Sequence, residues 1–415
     1  MIVVQIPNNN INEREYILSI IFDEFLGLDY DIEVQNNLKD YEIILPNNKR
    51  LTIKDTFFNK YPNDLEYLKL ENIPKKIEEL DIFAASFFML TRWEEYVNKN
   101  RDNHDRFPVT QSLAYKQGFL DRPIVNEYIE ELKKRFLDLD SNLLFKEHKY
   151  ELFLTHDVDD IYIWKSWKYL FRVALGDIIK RRDIKLAFSR ILKSIQIKQG
   201  KVKDPYDTFD WLMDKSESVG VKSRFYFMRC GVTSYDNRYK INEKRSLEII
   251  ENIKKRGHII GIHPSYNAYN DYNQLQKEKN ALEDTSEQKI IEGREHYLRF
   301  EVPTTWQIWE DNNLQLDSTC GYAEQEGFRC GTADEFSVFN ILTREKLKLK
   351  ERPLIFMDDN HHSYNDISFD ESYTRVAKLI EYAKVYNMKI TLLFHNSIFT
   401  DDKNINFKKL NEKLL

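Results

Sequence analysis

The sequence predicts an α/β protein in two parts: a smaller α/β region over residues 1–145, then a parallel (β/α) barrel over 150–415. Three observations predict it. From about residue 150, short apolar runs alternate with amphipathic helical stretches, as in βα units. Several of those runs end abruptly in Asp or His, as buried parallel strands do where they reach the C-terminal rim of a sheet or barrel. Before residue 145 the pattern is mixed, with a hairpin and packed helices and no clustered chemistry beyond Arg92-Trp93-Glu94-Glu95 and a polar loop from Arg101 to Arg106.

In the first region, Ile2 to Ile6 reads as a strand and Glu13 to Phe25 as an amphipathic helix. Tyr41 to Leu45 and Arg50 to Ile53 flank Pro-Asn-Asn-Lys and form a hairpin. Helices are expected from Asp81 to Tyr96 and, after the Asp121-Arg122-Pro123 turn, from Val125 to Leu137. In the second region, strands are expected at Leu152–Thr155, Ser223–Met228, His258–His263, Tyr297–Phe300, Pro353–Met357 and Ile390–Phe394. Helices are expected at Tyr206–Ser218, Ser246–Lys255, Tyr272–Glu292, Thr304–Glu310 and Asp370–Val385; Gly220 and Gly257 stop the first two.

Residues 161–203 interrupt this order. Lys165 to Lys203 holds twelve Lys/Arg against two Asp, interleaved with Trp167, Leu170, Phe171, Leu175, Ile178, Ile179, Phe188, Ile191 and Leu192. The expected arrangement is a helical hairpin whose apolar face packs on the barrel and whose basic face is solvated. The alternative is a basic amphipathic element lying on an anionic membrane.

Composition narrows the function classes. A net charge of -6 gives no reason to expect nucleic-acid binding. Cys230, Cys320 and Cys330 show no CxxC spacing, so neither a disulfide framework nor a structural zinc site is suggested. Cys230 and Cys330 follow strands, but neither has a neighbouring His to activate it, and packing is the expected role. The N-terminus lacks a basic n-region and no apolar run is long enough to span a bilayer, so the expected location is the cytoplasm.

Chemistry concentrates at strand ends. Leu152-Phe153-Leu154 leads into Thr155-His156-Asp157-Val158-Asp159-Asp160. On an extended strand Asp157 and Asp159 point to one face, and two carboxylates there repel unless a cation or a shared proton separates them. A strand end followed by an Asp cap at Asp160 is the competing reading. His263 closes its strand ahead of Pro264-Ser265-Tyr266, and His395 ends the last strand ahead of Asn396. Packing alone poorly explains Asp, His and His at three such ends. The His361-His362 pair is expected in an exposed loop after Asp358-Asp359, with metal contact as the alternative.

Thr155-His156-Asp157-Val158-Asp159, His263-Pro264-Ser265-Tyr266 and Leu393-Phe394-His395-Asn396, in this order, resemble the NodB-homology polysaccharide deacetylases, carbohydrate esterase family 4. Asp81 to Tyr96 resembles the extra N-terminal domain of a bacterial branch found among surface-polysaccharide genes. The resemblance implies a NodB-like distorted barrel and a divalent metal, zinc above all. It implies removal of N-acetyl groups from sugars of a surface polysaccharide or its precursor. By the same resemblance, Asp157 would be the general base, Asp159 and His263 metal ligands, Arg299 the arginine that orients the base, and His395 the general acid. Arg329 and Asp358 would contact sugar. Tyr266, Tyr269, Trp306 and Trp309 offer stacking surface for a sugar, though the core is the more expected place for any one of them. Two features depart from the family. Val158 separates the aspartates, and the second metal histidine, four residues after the first, is Asn267, whose carbonyl is a poor zinc ligand. Asn267, His296, His156 or water would complete the shell. The rival readings are a catalytically inactive carbohydrate-binding protein on the same barrel, and a hydrolase of another C–N bond.

Overall fold

The computed structural model describes residues 1–415 except Lys165, Cys230, Asn237, Arg238, Asp366 and 401–405. Two sheets organise the chain. The first has four strands in the order β2-β1-β3-β4, with β1 Ile2–Pro7, β2 Tyr30–Gln35, β3 Tyr41–Ile44 and β4 Arg50–Ile53. β1 and β2 are parallel, and β3–β4 is the expected hairpin. β2 was not foreseen; it alternates Tyr, Ile and Val with charged residues and lies at an edge, half in solvent.

The expected helix from Asp81 to Tyr96 is two helices. Asp81 caps Ile82–Thr91 by accepting from the amides of Phe83 and Ala84. Arg92 then takes a left-handed conformation (φ 53°), and a second helix runs Trp93–Val97. The break turns the buried Arg92 guanidinium back onto Glu95 (2.9 Å) and the Met89 carbonyl (3.2 Å). Glu95 also receives Arg329, through Nη2 at 2.5 Å and Nε at 2.9 Å, so a buried Arg-Glu-Arg knot ties the N-terminal helices to the second sheet. Tyr16 adds a hydrogen bond to the Ser337 carbonyl (2.9 Å). One hydrophobic core runs without interruption from Ile2 through Phe87 and Trp93 to Phe339 and Leu349.

The second sheet has nine strands in the order β10-β11-β9-β8-β7-β6-β5-β13-β12. They are β5 Glu151–Val158, β6 Arg224–Phe227, β7 Ile259–Ile262, β8 Glu292–Gly293, β9 Leu316–Asp317, β10 Phe336–Asn340, β11 Glu345–Glu351, β12 Leu354–Met357 and β13 Lys389–Leu393. All pairs are parallel except the β10–β11 hairpin, which the sequence reading missed. The sheet curls into a half-barrel whose edges are β10 and β12. Its register decides where chemistry meets: Leu393 pairs with Thr155, Asp157 with Tyr226, Phe227 with Ile262, and Ile262 with Gly293. The C-terminal ends of β13, β5, β7 and β8 therefore form one rim.

β8 corrects an expectation. Tyr297–Phe300 is not a strand; Tyr297 (φ 60°) and Leu298 (φ 54°) are left-handed and lie in a tight turn, His296–Leu298. The strand lies earlier, because Gly293 allows the backbone to press against β7. A Cβ there would sit 2.0 Å from the Ile262 carbonyl oxygen.

The interrupting segment forms two helices, Trp167–Ile179 and Ile184–Lys198, each packed principally on the other. The expected packing of their apolar face on the barrel is not found: Phe171, Leu175, Ile179, Ile184 and Phe188 are all more than half exposed. No helix among the described residues is long and apolar enough to cross a membrane.

Candidate metal centre and catalytic rim

Alternation along β5 sorts its polar side chains. His156 points away from the rim, buried between the Phe394 carbonyl (Nδ1, 2.7 Å) and the Ser223 hydroxyl (Nε2, 3.1 Å). Burial lowers its pKa to about 4 and leaves it a neutral imidazole, and with both ring nitrogens hydrogen-bonded it lies outside the donor set described below. Thr155 and Asp157 face the other way. There Arg294, fully buried, donates from one nitrogen to Asp157 Oδ1 (2.8 Å) and Thr155 Oγ1 (3.0 Å), while Ser318 anchors the rest of the guanidinium.

His263 follows β7. Its Nδ1 lies 2.7 Å from the Arg294 carbonyl, which can only accept, so Nδ1 carries the proton and Nε2 turns its lone pair to the cavity. His296 enters from the turn after β8. Asp159 Oδ1 sits 3.4 Å from His263 Nε2 and 3.5 Å from His296 Nε2. Burial opposes ionisation of Asp159, but His263, His296 and His395 together hold its carboxyl well below the usual range. Burial lowers His296 to about 4, leaving it neutral and able to ligate.

One donor atom from each of Asp159, His263 and His296 lies within 4.8 Å of the others. Asp159 Oδ1, His263 Nε2 and His296 Nδ1 are buried and have no hydrogen-bond partner. Buried polar atoms are ordinarily satisfied. Asp159 Oδ1 and His263 Nε2 face each other unsatisfied, and His296 turns Nε2, not its unsatisfied Nδ1, toward the same oxygen; this donor set would fit a divalent cation of the zinc type and leave positions open for water or substrate.

His395 closes the opposite side, with Nε2 3.8 Å from Asp159 Oδ2. Asp358 accepts from both the His395 amide (2.7 Å) and Nδ1 (2.6 Å). Burial disfavours the imidazolium, but the Asp358 carboxylate outweighs it and holds the His395 pKa well above the ordinary histidine value. The cavity over these groups has a volume of about 250 Å³, and Arg106, Tyr235, Tyr297 and Tyr364 line it further out. Arg106 comes from the N-terminal region, held by Asp102 (2.7 Å) and donating to the Tyr297 carbonyl (3.0 Å).

Of the residues picked out from the sequence, Asp157, Asp159, His263 and His395 meet at this cavity. Arg299 does not reach Asp157, and Arg294 is the arginine that does. The misplaced strand put the rim five residues late. Arg299 instead clamps a loop, donating to the carbonyls of His104 (2.9 Å) and Tyr266 (2.5 Å) between the Tyr266 and Tyr269 rings. Asn267 lies outside the Asp159-His263-His296 donor set, and its Oδ1 accepts from Arg299 (3.1 Å). Arg329 lies in the knot with Glu95, away from the cavity. Asp358 is buried beneath His395 and out of reach of a sugar. Trp306 is core, donating to Glu351 (3.0 Å), and Trp309 likewise donates to Glu295 (2.7 Å). Tyr266 stacks on the cavity-lining Tyr235 (centroids 4.6 Å apart) and meets His104 through its hydroxyl (3.0 Å). His361 is buried between Ser372 and Glu326 rather than exposed. Cys320 and Cys330 are buried, and Cys230 lies outside the described residues.

Comparison with known proteins adds the following. Residues 2–140 match a family of unknown function, DUF7033. No curated protein matches the chain. Among solved structures, a protein from Mycobacterium smegmatis assigned as a polysaccharide deacetylase is similar at 13% identity, covering 65% of this chain and 84% of that one, with a TM-score of 0.40. A carbohydrate esterase family 4 pseudoenzyme from Bacillus anthracis is similar at 13% identity over 64% of this chain and 60% of that one, TM-score 0.30. A mutant of that pseudoenzyme with restored enzymatic activity is similar at 14% identity over 64% and 62%, TM-score 0.29.

Proposed function

We propose that the protein is a metal-dependent hydrolase that removes N-acetyl groups from sugars of a surface polysaccharide or its precursor. The observation that carries this reading is the convergence of groups in one cavity: Asp157, held by Arg294, and His395, held by Asp358, line the same cavity as the Asp159-His263-His296 donor set. A divalent ion on those three residues would polarise the acetyl carbonyl and make water more acidic.

The chain's own groups do the rest. Asp157 accepts a proton from the water that attacks the acetyl carbon, and the Arg294 contact holds its carboxylate in place. The C–N bond breaks as His395 gives its proton to the departing nitrogen, so acetate and a free amine leave. An amine anion is a very poor leaving group, which is why the acid must stay charged at neutral pH; Asp358 secures that. The aromatic rim of Tyr235, Tyr297 and Tyr364 offers apolar faces to a sugar ring.

The inactive-binder reading rested on Asn267 in place of a ligand. His296, which faces Asp159 from the turn after another strand, can take that place. The test is acetate release from N-acetylated oligosaccharides by zinc-loaded protein. Asp157→Asn and His395→Ala are expected to lower kcat by ~10²–10⁴ each while metal content stays unchanged. Full activity in either variant would sink the assignment.

A further inference from the structure

We infer that the helical hairpin Trp167–Lys198 is a docking element for anionic phospholipid bilayers. In the first helix Trp167, Phe171, Leu175 and Ile178 recur at i, i+4, i+8 and i+11, one stripe along the helix. The second helix repeats the spacing with Ile184, Phe188, Leu192 and Ile195. All eight side chains are exposed, Phe171 to 56% and Phe188 to 67%. The hairpin interface uses a different face of each helix: Leu170, Ala174 and Asp177 against Ala187 and Ser194. Each stripe lies about a quarter turn past that interface in its own helix's winding sense. In an antiparallel pair that places both stripes on the same side, making a two-helix apolar face.

Charge selects the partner. The hairpin holds nine of the chain's 62 Lys/Arg but two of its 68 Asp/Glu, so a cationic element projects from an acidic protein. Both acids are used internally: Asp177 is buried between Arg181 and Arg190, and Asp183 caps the second helix at the Leu186 amide. Lys168, Arg172, Lys185 and Lys193 are exposed beside the stripes. Apolar side chains flanked by cations match an anionic lipid surface, where the stripe enters the headgroup region and the cations meet phosphate. A second copy of the chain would set cation against cation. The root of the element adds a consequence. Asn396, next to His395, donates to the carbonyls of Asp160 (2.8 Å) and Tyr206 (3.0 Å), pinning both ends of the insertion at the catalytic rim. A docked hairpin therefore brings the cavity to the membrane surface. Docking is independent of the hydrolytic reading.

Flotation of the full chain with phosphatidylglycerol-containing and with pure phosphatidylcholine vesicles tests this. Binding is expected to the anionic vesicles alone, weakened by salt. It should fall ~10-fold or more in Lys185→Glu/Lys193→Glu and again in Phe171→Ser/Phe188→Ser, with far-UV circular dichroism unchanged in both. Failure to float, or flotation indifferent to both substitution pairs, overturns the inference. So does a concentration-dependent dimer that Phe171→Ser/Phe188→Ser disperses while anionic vesicles leave the protein behind.

Discussion

Arg294 and Arg299 are five residues apart, and only Arg294 touches Asp157. Arg294→Ala leaves Asp157 without its buried counter-charge, and kcat is expected to drop ~10²-fold or more in an acetate-release assay. Arg299→Ala frees a loop braced by Tyr266 and Tyr269 and is expected to act mainly on KM. Equal kcat losses in both would contradict the assignment. Asp157, Asp159, His263 and His395 could be read from the sequence because each terminates an apolar run that is itself recognisable as a strand. Arg294 could not, and His296 could be offered only as one of several candidates to complete the shell, because their strand is two residues long. Its one local mark is Gly293, which looks unremarkable until the neighbouring strand is in place.

Among the elements, β8 and the Trp93–Val97 helix support most of what the site needs. Gly293→Ala must push β8 off β7, and a loss of several kcal/mol, on the order of ~3–5, is expected in chemical denaturation, with metal affinity falling alongside. The Glu95 knot predicts a pH dependence. Burial would raise the Glu95 pKa, but Arg329 and Arg92 outweigh it and bring the carboxyl down to about 2. A carboxyl whose folded pKa is depressed contributes stability above its ordinary value of 4.5, and that contribution is lost as pH falls from there toward about 2. Glu95→Gln is therefore expected to be less stable at pH 7 and to show a flatter acid limb in thermal melts than wild type; an unchanged acid limb would contradict the role given to the knot. The break at Arg92 was invisible in the apolar pattern, because helical periodicity continues across it and only the buried ion pairs demand the turn.

For the molecule as a whole, the order of βα units and the rim could be anticipated from residue 150 onward. The open, curled form of the sheet and its β10–β11 edge were not anticipated, although Lys346-Leu347-Lys348-Leu349-Lys350 alternates with the period of a strand. The apolar faces of the 167–198 hairpin ran against expectation for a related reason: periodicity says that a helix has an apolar face, not what covers it. The core that joins the two sheets predicts one cooperative unfolding transition by calorimetry, with equal van't Hoff and calorimetric enthalpies. Two resolved transitions would show that residues 1–145 unfold on their own.

The proposed function needs His296, not Asn267, to complete a three-residue metal centre with Asp159 and His263. Elemental analysis of purified wild-type protein, His296→Ala and Asn267→Ala tests it directly. About one divalent ion per chain is expected in the wild type and in Asn267→Ala, and a small fraction of that in His296→Ala. Full occupancy in His296→Ala with loss in Asn267→Ala would contradict the centre described above.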